Sequence, residues 1–126
     1  MKKETKLDFE EYTALSGRTR ANLSNEFLDN MHMILGMITE LGELADVYKK
    51  YLAYDKDIDR INVQEELGDI MWYIAGFCET NNFDMDRILK TNLLKLNQRY
   101  PNAFTKEDAI IRNLEKERRI LEELGY

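Results

Sequence analysis

Apolar side chains return every three or four residues along most of this chain and almost nowhere alternate, so the pattern predicts helices and no convincing strand. From about Glu26 to Leu52 the positions Ile34, Met37, Ile38, Leu41, Leu44, Ala45, Tyr48 and Leu52 keep helical spacing and mark a first long helix. The stretch AYDKDIDRI breaks the pattern with a cluster of charges and reads as a turn. Val63, Leu67, Ile70, Met71, Ile74 and Phe77 then carry the stripe of a second helix, with Asn62 and Glu65 as its expected N-cap and capping box. TNNFD ends it. Asp84 caps a third helix to about Arg99, and Pro101 in RYPNAF stops that one because proline cannot continue a helix. Thr105 with Asp108 opens a fourth, charged helix near 106 to 124, docked by Ile110, Leu114, Leu121 and Leu124, with a second subunit as one candidate surface.

Residues 1 to 25 are the most polar part, with a short helix expected after Asp8 and a flexible connection in SGRTRANLSN. One proline and six glycines suit a mainly helical protein. The expected architecture is all-α: a single domain over residues 1–126, a helical bundle built around an antiparallel hairpin of the first two long helices and completed by a second subunit. With 24 acids against 18 bases, a net charge of -6 and no dense run of Lys or Arg, a nucleic-acid polymer is a poor partner. No stretch approaches the roughly 18 apolar residues of a membrane span, and the N-terminus lacks the apolar core of a secretion signal. The single cysteine, Cys78, has no partner and fits a reducing compartment, so the expected location is cytoplasmic.

Two quartets repeat: ELGE with Glu40 and Glu43, and ELGD with Glu66 and Asp69. Acids three apart share a helical face, which alone is weak, since the chain carries five such pairs. Position separates these two. A hairpin centred between Tyr54 and Asp55, inside the turn cluster, sets Glu43 opposite Glu66 and Glu40 opposite Asp69, beside the apolar stripes. Four partly buried carboxylates at one level repel and raise one another's pKa unless neutralised. Lys49 and Lys50 help only from the end of the helix, so a hard divalent cation, Mg²⁺ or Mn²⁺, is the natural counter-charge for an all-oxygen set. A ferritin-like di-iron site wants Glu-x-x-His, and His32 does not follow a Glu by three. Gly42 and Gly68 each cost their helix roughly 1 kcal/mol relative to Ala, so a close approach of the neighbouring helix or of a ligand is expected there.

ELGE, a gap of 22 residues and ELGD together resemble the Glu-x-x-Glu, spacer, Glu-x-x-Asp signature of the all-α nucleoside triphosphate pyrophosphohydrolases, most closely the MazG-like branch. NLLKLNQRYPNAF resembles the Asn-x-x-Lys and Arg-Tyr-Pro segment that follows in that branch, and the likeness runs from about His32 to Arg112. Residues 1–25 match nothing in it. The resemblance implies a homodimer or homotetramer that binds Mg²⁺ through Glu40, Glu43, Glu66 and Asp69 and cleaves an NTP or dNTP between the α and β phosphates. By position in similar enzymes, Glu43 is the candidate catalytic base.

Substrate contacts are expected from several further residues. Tyr73, one turn beyond Asp69, either stacks on a base or packs in the core. Asn92, Lys95 and Arg99 form a polar stripe on the third helix that resembles the family's phosphate-contacting side. His32, two turns before Glu40, either reaches phosphate or packs, and Lys49 is a further phosphate candidate. Two alternatives stand beside this reading: phosphoribosyl-ATP pyrophosphohydrolase, and a catalytically silent helical interaction module. The second leaves unexplained why four repelling acids sit beside the core.

Overall fold

The computed structural model describes residues 6–125, apart from the side chains of 124 and 125, and among them contains helices and turns with no strand. The chain forms two compact units, one ending at Phe83 and one beginning at Asp84.

In the first unit a short helix α1 (Phe9–Ser16) starts where Asp8 accepts a hydrogen bond from the Glu11 N–H at 2.8 Å, and a 3₁₀ turn (Gly17–Thr19) follows. Asn25 caps the long helix α2 (Glu26–Tyr54), which stops at Asp55, a residue in the left-handed region with φ 52°. Asp59 accepts from the N–H groups of Ile61 and Asn62 and so opens α3 (Arg60–Thr80). The expected cap at Asn62 is therefore wrong by three residues. Asp59 reaches the first free N–H groups earlier in the chain, and Asn62 lies inside the helix.

The helices α2 and α3 pack against each other in opposite senses: Met33 meets Gly76, Gly36 meets Tyr73, and Glu40 and Glu43 meet Glu66. Reciprocal amide hydrogen bonds between Asn30 and Asn81, at 2.6 and 3.2 Å, tie the end remote from the turn. Gly36 and Gly76 are the close-approach points, since a methyl group at Gly36 would overlap the Tyr73 ring and one at Gly76 would overlap the Met33 sulfur. A Cβ at Gly42 or Gly68 would meet nothing, so neither serves as a contact between the helices.

The stripe expected to bury α2 is also corrected. Met33, Gly36 and Val47 are its buried residues, whereas Ile38, Leu41 and Leu52 are 60%, 57% and 81% exposed and Ile34 and Tyr48 are also open. At 100° per residue the two sets lie on adjacent faces of α2, and α3 covers only one. On α3 the stripe is half-buried except for Leu67, which is exposed. The SGRTRANLSN connection is fastened rather than free at its start. Arg20 donates to the Gly76 carbonyl and pairs with Glu79, both at 2.9 Å, and the Trp72 indole N–H donates to Thr19 Oγ1 at 3.1 Å.

In the second unit α4 (Met85–Arg99) begins at its Asp84 cap as expected and packs against α6 (Leu114–Gly125). The expected fourth helix is two pieces. Thr105 caps α5 (Lys106–Ile110), Ile111 turns extended, and Asn113 starts α6 by accepting from the Lys116 N–H at 3.0 Å. Ile110 and Leu114, expected to dock this region, are 80% and 62% exposed; Leu121 is half-buried, and the Leu124 side chain lies outside the described residues. A charge fastens the unit instead: Glu117, 3% exposed, accepts from Arg99 Nε and Arg112 Nη2, each at 2.7 Å. These two guanidinium groups, Arg99 first, hold the Glu117 carboxyl down from 4.5 to about 2.

Gly36→Ala should destabilise by about 1–3 kcal/mol through overlap with the Tyr73 ring. Gly68→Ala, placed in open space, should instead stabilise by up to ~1 kcal/mol. Urea denaturation of both variants checks the contrast. For Glu117 the folded pKa is depressed, so its stabilisation is complete above pH 4.5 and is lost as pH falls towards about 2. The stability advantage of the wild type over Glu117→Gln should shrink across that window, as read by denaturation at stepped pH.

Candidate metal centre

On α3 Glu66 points into the seam with α2, where it is 5% exposed, and its Oε2 is buried with no hydrogen-bond partner among the described residues. From α2, Glu40 and Glu43 approach one helical turn apart, and one oxygen from each of the three carboxylates lies within 4.8 Å of the others. Glu40 is half-buried and Glu43 exposed, so the trio runs from the seam out to solvent. Burial first, and then the carboxylates of Glu40 and Glu43, raise Glu66 from 4.5 to about 7.

Such a cluster stores repulsion that a cation would relieve. The residues fit a hard divalent ion on two observations: the donors are all carboxylate oxygens, and the most buried of them has a free lone pair that no protein donor satisfies. Neighbouring bases do not do this work. Lys49 and Lys50 pair with Asp46, at 3.2 and 2.8 Å, and both are exposed.

Asp69 lies outside the trio and is exposed. Helix geometry supplies the reason: Glu66 and Tyr73, seven apart, both face α2, while Asp69 is turned roughly 60° further round α3. Tyr73 sits over Gly36, with its ring edge-on to His32 at 6.2 Å and to Trp72 at 4.9 Å between centroids. His32 is half-buried and its Nδ1 has no partner among the described residues. In the second unit Asn92 is exposed, Lys95 half-buried, and Arg99 commits its Nε to Glu117.

Two residues near the acids were not read from the sequence as neighbours of the site. Asn62, with its amide nitrogen turned towards the carboxylates, donates to Glu66 Oε1 and to Glu65 Oε2, each at 3.2 Å. Its spacing of four residues from Glu66 was the available signal. Tyr12 on α1 lies in the field of Asp69, and nothing in the local sequence could have paired them.

The family model described as the MazG nucleotide pyrophosphohydrolase domain matches residues 28–104, which include Glu40, Glu43, Glu66 and Asp69. The chain is 36% identical over 73 residues to the Gene 37 protein of Mycobacterium phage L5, an alignment covering 54% of this chain and 63% of that protein's length. No solved structure matches the chain.

For Glu66 the folded pKa is raised, so without a metal ion its favourable contribution is complete below pH 4.5 and is lost as pH rises through about 7. The thermal midpoint of the metal-free protein should therefore fall towards pH 8 more steeply than that of Glu66→Gln. Adding Mg²⁺ or Mn²⁺ at pH 8 should raise the wild-type midpoint and leave the variant's nearly unchanged.

Proposed function

The chain belongs to the MazG nucleotide pyrophosphohydrolase domain family, and from that membership and the acidic trio we propose that it hydrolyses an NTP or dNTP between the α and β phosphates, with Mg²⁺ or Mn²⁺ as cofactor. The observation that carries this reading is the buried Glu66 Oε2, without a hydrogen-bond partner among the described residues, on a carboxylate facing Glu40 and Glu43. An all-carboxylate seam without a counter-charge is costly to the fold and useful to a metal-dependent phosphate enzyme.

Glu40, Glu43 and Glu66 would hold the ion, with Asp69 joining them from the edge. When bound, the divalent ion neutralises phosphate charge and acidifies a coordinated water. The protein's own part is positional and basic. Glu43, the exposed member of the trio, is proposed to take a proton from the attacking water, while Asn62 steadies Glu66 through Oε1. The anhydride bond breaks as the water oxygen bonds to phosphorus, and a monophosphate and pyrophosphate leave. His32 and Tyr73 are proposed as substrate contacts from the seam, and Lys49 as a phosphate contact that must first leave Asp46. Asn92, Lys95 and Arg99 keep that role on the resemblance of their segment alone.

A homodimer or homotetramer is part of the proposal, supported by the uncovered apolar face of α2, where Ile38, Leu41 and Leu52 are wide open. Among the described residues no helix is long and apolar enough to cross a membrane. A cytoplasmic location suits the buried free thiol of Cys78.

Pyrophosphate release should be seen from at least one member of a panel of NTPs and dNTPs in the presence of Mg²⁺. Glu43→Gln should lower that rate by about 10²-fold or more with its thermal midpoint preserved. Full activity in the variant would remove Glu43 as the base.

A further inference from the structure

The α3 face next to the seam carries Asp69, Trp72, Gly76 and Glu79, which lie in one line along the helix. The segment that precedes α2 occupies this line. Arg20 holds its Glu79 end and the Gly76 carbonyl, and Thr19 accepts from Trp72. Helix α1 packs on α3 as well, and its half-buried Tyr12 lies in the field of Asp69. The Tyr12 phenol is an O–H donor.

Charge decides which end of a nucleotide belongs here. The first turn of α1 presents Glu10 and Glu11, its last turn has no basic residue, and Asp69 adds a further negative group. A polyphosphate would be repelled from such a wall and belongs at the trio, where a cation can screen it. The uncharged nucleoside end can lie against a ring and a hydroxyl donor at no such cost.

We infer that the N-terminal segment is one wall of the nucleotide site and that Tyr12 is a specificity-determining residue in it, meeting the sugar or base beside Asp69. This rests on the nucleotide reading above and deepens it. The segment that aligned with nothing recognisable thereby becomes the part that selects among substrates, and it lies ahead of the family match, which starts at residue 28.

The test is steady-state hydrolysis of a panel of NTPs and dNTPs with Mg²⁺ by wild type, Tyr12→Phe, Tyr12→Ala and Arg20→Ala. Tyr12→Ala should change the ratio of kcat/KM between the best and poorer nucleotides by about tenfold, chiefly through KM. Tyr12→Phe, which keeps the ring, should show the part due to the hydroxyl, and Arg20→Ala, which unfastens the segment, should shift the same ratio. The fluorescence of Trp72, the chain's single tryptophan, reports whether the segment remains docked in each Tyr12 variant. If Tyr12→Phe and Tyr12→Ala leave every ratio as in the wild type, or lower all nucleotides by one factor, the inference is overturned while the enzyme reading stands. If the wild type turns over no nucleotide, both fall together.

Discussion

One carboxylate governs the first unit. Glu66 lies in the seam between two long helices, with a free oxygen and two further acids as its neighbours. That arrangement opposes folding, so other contacts have to bring the helices together. At one end of the seam Gly36 lets the Tyr73 ring lie against the backbone of α2, Gly76 does the same for Met33, and the paired Asn30 and Asn81 amides close the seam. At the other end Asp55 in its left-handed conformation and the Asp59 cap hold the turn. Between these fixed ends the backbone positions of the three acids are set. The repulsion is held in place by packing, and a bound cation would convert it into affinity.

Around this seam the first unit is finished unevenly. One flank of α3 is covered by the N-terminal segment, fastened by Arg20 and by Trp72. The second apolar face of α2 is covered by nothing in the described residues, although its isoleucines and leucines are as apolar as those in the seam. A helix apolar on two faces is usually buried on two sides. The covered flank sets a tyrosine in the field of Asp69, and the other flank is left bare.

The second unit uses a different device. Its helices α4 and α6 are highly charged, and the most buried side chain between Ile111 and Glu123 is an acid, Glu117, held by two arginines. Directional ion pairs fix how α6 meets α4 where large apolar side chains do not. The break at Ile111 lies beside this pair: Arg112 reaches Glu117 from the extended segment, and Asn113 restarts the helix. Arg99, read from sequence as a phosphate ligand, spends its Nε on the same acid.

The sequence by itself determined the helical class, both long helices, the turn between them, the third helix and its cap, and the facing of Glu40 and Glu43 with Glu66. These follow from periodicity, caps and a register fixed by a short turn, all of which are local or one hairpin away. Tertiary structure alone decided which face of α2 is buried. Ile34, Ile38, Leu41 and Leu52 form as good an apolar stripe as Met33 and Val47, and hydrophobicity does not say which neighbour a stripe will meet. It also moved Asp69 out of the trio, because acids three apart sit roughly 60° apart on a helix and only one of them can point straight into a seam. The glycines teach the same lesson: Gly42 and Gly68 lie in the motif and meet nothing, whereas Gly36 and Gly76 lie outside it and set the distance between the helices. The pairing of Tyr12 with α3 spans more than fifty residues of chain, a separation at which only the folded packing determines who meets whom.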